Sequence, residues 1–343
     1  MAALAQATST SLTDELHTEN SLHTENSLHT ENSLHNEKSL HNEKSLHNEN
    51  SLINAGVPAA DVASVLALAN HLNVKQDQDE PLCDPLTLLR FNNSRESVLV
   101  DSTNMYNTTV EWREKVGLDN IMKVFGKNAT IEQEDNSWQW VRGPTTGAGR
   151  IIEKHCFFGL LKSRTELDEP IAVWRFGAVD MAGIKRAKMY DGLCEAYTAH
   201  LEDMLQSGRA LSRKNKRLIR VRVVIDANGI SLAKLTYISM IKSVLAIGKR
   251  YFPELTKSVT IVNAPWVFAK FYALISPALT PVQRKKVCIL GTDFEQRLKD
   301  HSNVTKQMLP ICCGGTSSDD QIAPCEPVPE GFIFDESSAK GLL

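Results

Sequence analysis

The sequence predicts an α/β fold whose sheet is mostly parallel, and three observations carry that prediction. Between Arg220 and Gly315, segments of strand length alternate with segments of helical period. The strand segments are short and β-branched: Val221 to Ile225, Val259 to Val262 and Val287 to Leu290. Each pair is separated by enough chain for a crossover helix, the βαβαβ rhythm that parallel strands require. The chain has 343 residues, 42% of them hydrophobic, which allows one large core with appended segments.

The segment before residue 54 is of another kind. From Glu15 to Asn50 it repeats a six-residue unit, Ser-Leu-His-Asn/Thr-Glu-Asn/Lys, six times over, the first copy beginning with Glu15 in place of Ser. Six residues turn a helix by about 600°, so successive leucines spiral around it and no apolar stripe forms. On a strand, period six keeps leucine on one face, yet so few copies would bury very little. Residues 1–53 are therefore expected to be a disordered low-complexity segment. The repeats hold six histidines and, lacking a scaffold, are expected to bind metal only adventitiously. Their seven Glu and two Lys give −5, so the rest of the chain carries about +2 of the net −3.

A helical module is expected over residues 54–135. Pro58 suits a first turn, and Val62, Val65, Leu66, Ala69 and Leu72 share one face up to Asn73. Gln76 to Asp84 is a polar linker, and Leu86 to Phe125 is helical with interruptions. The Gly/Pro/Thr loop ending at Gly149 marks a boundary. Beyond it, Ile151 to Leu161 and Ile171 to Phe176 are expected strands, and Ile184 to Gln206 a long helix. The basic run from Arg209 to Arg222 is either solvated surface or an attraction for anionic headgroups. Thr316 to Leu343, rich in Pro, Ser and acidic residues, is expected to be a loose tail.

Several function classes find no support. The charge is near neutral and the basic run has no interleaved aromatics, so no nucleic-acid partner is expected. No phosphate loop, nucleophile elbow, His-Glu-x-x-His or zinc quartet occurs, so neither an enzyme nor a metal or other cofactor is expected. Seven cysteines without metal-like spacing are expected to be reduced thiols of a cytosolic protein. Met1 to Thr13 lacks the charge and apolar core of a signal peptide. The longest apolar stretch, Ala264 to Leu279, contains Lys270 and is short for a membrane span. A cytoplasmic chain with only transient membrane contact is therefore expected.

Two apolar sets remain. Alternation puts Val221, Val223 and Ile225 on one side of their strand. Trp266, Phe268, Phe271, Tyr272, Leu274 and Ile275 make a broad apolar helix face. By periodicity alone both sets serve equally well as core.

The order of phrases adds to this reading. Asp226-Ala-Asn-Gly-Ile-Ser follows a strand, then come Phe252-Pro-Glu254, Ile261-Val-Asn-Ala-Pro-Trp266, Leu279-Thr-Pro281, Ile289-Leu-Gly291 and Leu309-Pro-x-x-x-Gly-Gly315. This series resembles the CRAL-TRIO lipid-binding domain, closest to its phosphatidylinositol transfer branch, over residues 145–316. Leu88-Leu89-Arg90-Phe91 resembles the small helical domain that precedes it, although Asn92-Asn93-Ser94-Arg95-Glu96 departs from the family's basic continuation. The resemblance implies a non-catalytic carrier with a hydrophobic pocket, phosphatidylinositol or a related lipid as cargo, and Ala264 to Leu279 as a gate.

It further implies that Glu254 and Lys286 serve the inositol-phosphate site, with Gln283 where the family has threonine. From the residues alone, Lys286 is also explained as part of an exposed patch with Arg284 and Lys285, and Glu254 as a helix-end charge. Val221, Val223 and Phe252 stand where the family has hydroxyl side chains, which leaves phosphatidylcholine binding in doubt. Two alternatives stay open: a carrier of a non-phospholipid hydrophobe, and a scaffold that loads no lipid.

Overall fold

Strand alternation gives the central sheet two different apolar faces. The computed structural model describes residues 47–75, 80–125, 127–131, 138–142 and 148–335. Before the main sheet, β1 (Lys127–Ile131) and β2 (Trp138–Arg142) form an antiparallel pair. The main sheet has the order β3 (Phe158–Arg164), β4 (Pro170–Trp174), β5 (Val221–Asp226), β6 (Thr256–Val262) and β7 (Val287–Ile289). The first pair is antiparallel and the remaining three are parallel. Ala172, Trp174, Val221, Val223 and Ile261 bury on one face; Ile171, Val173, Val224 and Val262 bury on the other.

Each face is covered because an exposed apolar sheet face would cost about 25 cal/mol per Å². Leu298 on α12 (Glu295–Ser302), with Phe294 and Leu309, closes the second face. The first face meets α8 (Tyr190–Asn215), α9 (Ile238–Tyr251) and α10 (Phe268–Ile275). The 26-residue α8 is buried along most of its length. Its buried Glu202 is met by Arg113 through two bonds of 2.8 and 3.0 Å, which offsets the cost of burying the charge.

The helical module consists of α1 (Glu49–Ala55), α2 (Val62–His71), α3 (Pro85–Ser94), α4 (Leu99–Lys115) and α5 (Leu118–Phe125). Its small core joins Leu52, Val65, Leu68, Leu89 and Phe91. Asp84 caps α3 by accepting from Leu86 N and Thr87 N, and Pro85 follows in the first turn. Residues 47–335 belong to one compact unit.

Several expectations are corrected. The hexapeptide repeat up to residue 46 lies outside the described residues, but its last copy is ordered from His47 onward. His47 is buried with Nε2 3.1 Å from the Cys83 carbonyl, and Asn48 caps α1. Residues 151–155 belong to helix α6 (Ala148–His155) rather than to a strand. Ile152 seats against Gly192 of α8, where an added Cβ would meet its Cδ1 at 2.1 Å. The expected helix from Ile184 is two helices, α7 (Met181–Arg186) and α8, broken where Lys188 takes φ +58°.

The tail is packed where it is described. Ile322, Ala323, Cys325, Val328 and Phe334 are buried. Gly159 on β3 leaves room for Ile322, whose Cβ stands 2.8 Å from where a side chain would begin. The basic run divides: Arg213, Lys214, Lys216 and Arg217 are exposed as expected, but Arg209 and Arg222 are buried, and Arg222 Nε donates to Glu169 at 2.6 Å. Local composition marks such residues as surface because it cannot register a partner 53 positions away.

Candidate ligand-binding site

Between the first sheet face and helices α9 and α10 lies a cavity of about 430 Å³, within the ~300–1,000 Å³ typical of small-molecule sites. Its floor is Ile225, Val259 and Ile261 from the sheet, with Trp174 and Phe176 beside them. One wall comes from Tyr197 and Leu201 of α8, another from Leu245, Ala246 and Gly248 of α9. The outer wall is α10, through Phe268, Phe271, Tyr272 and Ile275. These recur at i, i+3, i+4 and i+7, the stripe a helix presents to one partner. Phe176 and Phe271 meet edge to face, with ring centroids 5.5 Å apart.

One end of this apolar space is charged. Glu254, Gln283 and Lys286 line it with Thr256 beside them, and Lys242, Lys249 and Arg250 of α9 are the other charged residues in the cavity lining. Lys286 Nζ donates to Glu254 Oε1 at 2.9 Å and to the Thr256 carbonyl at 3.2 Å. Arg220 Nη1 donates to the other carboxylate oxygen, Oε2. The three side chains are only 13% (Glu254), 16% (Lys286) and 21% (Arg220) exposed.

Local structure aims each group. Thr280 and Gln283 form a capping box on α11 (Pro281–Lys285), with Gln283 N donating to Thr280 Oγ1 and Thr280 N to Gln283 Oε1. Lys286 closes that helix, and its carbonyl accepts from Val259 N at 2.9 Å, which starts β7 beside β6. Glu254 follows Pro253 with φ +46°, a left-handed conformation that costs a non-glycine residue about 1–2 kcal/mol. Arg90 holds that turn from the helical module. Its Nη1 donates to the Glu254 carbonyl at 2.7 Å and its Nη2 to the Ile219 carbonyl at 2.5 Å. Burial pushes the Arg90 guanidinium down to about 10, and the neighbouring Arg220 cation adds to the effect. Trp112 stacks on Tyr251 at 4.1 Å and meets Phe252 edge-on at 5.9 Å, a second tie between module and site.

Burial alone would raise the Glu254 carboxyl, but Lys286 and Arg220 outweigh it and hold the group below the usual carboxylate range. A carboxylate whose folded-state pKa lies below its unfolded value stabilises the fold above about pH 4.3, and the contribution is lost as pH falls through the folded value. Glu254→Gln is therefore expected to unfold more readily than the parent near neutral pH, with the gap closing on acidification. Urea titrations at about pH 7, 5 and 3 check this; a gap that widens at low pH contradicts it.

Of the residues singled out from sequence, Glu254, Lys286, Gln283, Phe252, Phe268 and Phe271 line the cavity. Val221, Val223 and Trp266 do not. Val221 and Val223 share the face of Ile225 but are fully buried in the packed cluster with α8; only Ile225, farther along β5, reaches the cavity. Trp266 precedes α10 and is 79% exposed, with Lys270 Nζ 5.8 Å above its ring. Leu274, placed on the apolar face by its spacing, is also exposed. Val223→Thr is expected to cost about 1–3 kcal/mol by burying a hydroxyl, without changing which lipid is carried. Denaturant unfolding and mass spectrometry of bound lipid check both halves.

Sequence reading missed Tyr197 as a lining residue and Arg220 and Arg90 as supports. Tyr197 sits on an apolar helix stripe, which reads as core. Burial pushes its hydroxyl above its ordinary range, so it is a neutral hydrogen-bonding group at neutral pH. Among the described residues, no cluster of three His, Cys, Asp or Glu side chains is placed to hold a metal ion. No described helix is long and apolar enough to cross a membrane.

Residues 154–315 match the family model of the CRAL/TRIO domain. A CRAL-TRIO domain-containing protein of Caenorhabditis elegans is 25% identical over 235 residues, 67% of this chain and 29% of that protein, so the chain spans well under half of that relative. The SEC14 cytosolic factor of Kluyveromyces lactis is 26% identical over 241 residues, 68% of this chain and 71% of the relative. Among solved structures, the crystal structure of Sfh5 is similar with a TM-score of 0.45 and 14% identity, covering 64% of this chain and 72% of that one.

Proposed function

We propose that this chain, whose residues 154–315 match the family model of the CRAL/TRIO domain, is a non-catalytic lipid carrier that moves phosphatidylinositol between membranes. The observation that supports this most is the Lys286–Glu254 pair, 2.9 Å apart, in the lining of a mostly apolar cavity. Apolar walls take acyl chains. A lysine there offsets the cost of burying a phosphate diester, and a glutamate accepts from inositol hydroxyls. No metal or prosthetic group is needed for this task. The alternative of a non-phospholipid cargo leans on Val221, Val223 and Phe252; the two valines lie away from the cavity, and of the three Phe252 alone lines it.

Loading requires α10 to move, since its aromatic stripe closes the outer wall. Trp266, Leu274 and Val282 are exposed on or near this gate, beside Lys270 and Arg284. These apolar and cationic side chains suit transient contact with an anionic bilayer surface. The proposed site of action is the cytoplasmic face of a membrane. Trp266→Ala is expected to weaken vesicle association about tenfold, the worth of one large side chain at an interface, with unfolding unchanged. Vesicle co-sedimentation checks it.

The deciding experiment is native mass spectrometry of the freshly isolated chain with vesicle transfer. Phosphatidylinositol as bound lipid, and transfer of it from labelled donor vesicles, are expected. A neutral hydrophobe as bound lipid, or a chain that loads nothing, rejects the proposal.

A further inference from the structure

We propose that Arg220 is the counter-ion that releases Lys286 to a phosphate, so that the charged end of the cavity receives a phosphate-bearing lipid without stranding Glu254. This rests on the phosphatidylinositol reading and assigns a positioning role to a residue of the basic run. The Glu254 carboxylate is divided between two cations, Oε1 to Lys286 at 2.9 Å and Oε2 to Arg220. Lys286 and Glu254 line the cavity, whereas Arg220 stands outside the lining and reaches the second oxygen.

That asymmetry has a consequence for binding. An arriving phosphate must take Lys286 away from Glu254, at least in part. If Lys286 were the carboxylate's only cation, a mostly buried negative charge would then be left beside a second one, and binding would oppose itself. With Arg220 remaining on Oε2, Glu254 keeps a partner throughout. Arg90 meanwhile holds the Glu254 backbone through its carbonyl at 2.7 Å, and Arg220 holds the carboxylate itself. The region also carries more positive charge than one carboxylate balances. Lys257 is held below its usual range, first by Arg220, then by burial and by Arg222, and Lys286 acts in the same direction. Such a surplus favours an added anion.

Four versions of the full chain test this: the parent, Arg220→Gln, Glu254→Gln and the double variant. Each is loaded from vesicles containing phosphatidylinositol and, separately, from vesicles containing diacylglycerol, which has similar tails and no phosphate. Arg220→Gln is expected to lower phosphatidylinositol loading about tenfold when Glu254 is present, and less than about twofold when residue 254 carries no charge. Diacylglycerol loading should be the same in all four. Equal losses in both backgrounds, a parallel loss of diacylglycerol, or no loss at all would overturn the assignment.

Arg220→Lys keeps the charge and should retain loading to within about threefold. A loss as large as that of the glutamine variant refutes the charge argument, even where glutamine at this position weakens the fold. Inorganic phosphate in excess is the last arm. Lipid retained in its presence is expected, and lipid displaced by it would mean a free-anion site instead. A parent chain that takes up diacylglycerol but no phosphatidylinositol fails the proposed function itself, an outcome separate from those that reject Arg220 alone.

Discussion

Lys286→Ala is expected to abolish phosphatidylinositol transfer between vesicles while leaving the chain folded. The lysine is the only cation that touches Glu254 from within the cavity lining among the described residues, and its ammonium also meets the Thr256 carbonyl. Removing it leaves a phosphate entering a largely apolar space without the cation that stands beside Glu254. A charge-assisted hydrogen bond is worth about 1.5–3 kcal/mol, and the phosphate's lost hydration adds to the penalty. A fall in loading of about a hundredfold or more follows, since each ~1.4 kcal/mol is a factor of ten. The fold should lose little, because Arg220 still meets the carboxylate and Val259 N is satisfied by the backbone of residue 286 whatever its side chain. Transfer assays with labelled lipid and urea unfolding measured on the same preparation decide the matter. Unchanged transfer would reject the headgroup assignment.

Arg90→Met is expected to have the largest effect on stability. Arg90 is 1% exposed, and its guanidinium bridges two loops of the sheet domain from a helix of the preceding module. Its loss leaves the carbonyls of Glu254 and Ile219 without these donors and removes the tie on a left-handed turn. Unmaking such buried charged contacts costs about 3–5 kcal/mol. The midpoint of urea unfolding should fall accordingly, and the fraction that stays folded should transfer phosphatidylinositol poorly because Glu254 is no longer aimed. Arg90→Lys, which keeps the charge and reaches one carbonyl at most, should fall between. A variant as stable and as active as the parent would show that the module does not support the site.

Much of the fold was legible from short windows. The strands β4 to β7 announced themselves as β-branched runs, and the crossover helices as apolar stripes, because burial on one face imposes a local period. The ordered phrases around Asp226, Phe252, Ile261 and Leu309 were enough to suggest the family. The apolar helix that walls the cavity was legible too, although spacing alone put Trp266 on its inner face, when the chain has not yet entered the helix at that residue. The misread segment was Ile151 to His155, where a strand-like composition is overruled by packing against Gly192. The tail was misread because its few apolar residues have no period; they fill positions left open by Gly159 and the other elements of the core.

The sequence by itself determined the fold class, the strand–helix alternation from Val221 to Ile289, the apolar character of the helix that walls the cavity, and Glu254 and Lys286 as the residues to test. Only the tertiary structure decided that those two meet, that Arg220 and Arg90 join them, and that Val221 and Val223 belong to packed core. The physical reason is distance along the chain. Backbone periodicity is a property of neighbours, whereas Lys286, Arg220 and Arg90 reach Glu254 across 32, 34 and 164 positions. Electrostatic partners at such separations are selected by where the sheet and its crossovers bring the chain back, and no window of residues contains that information.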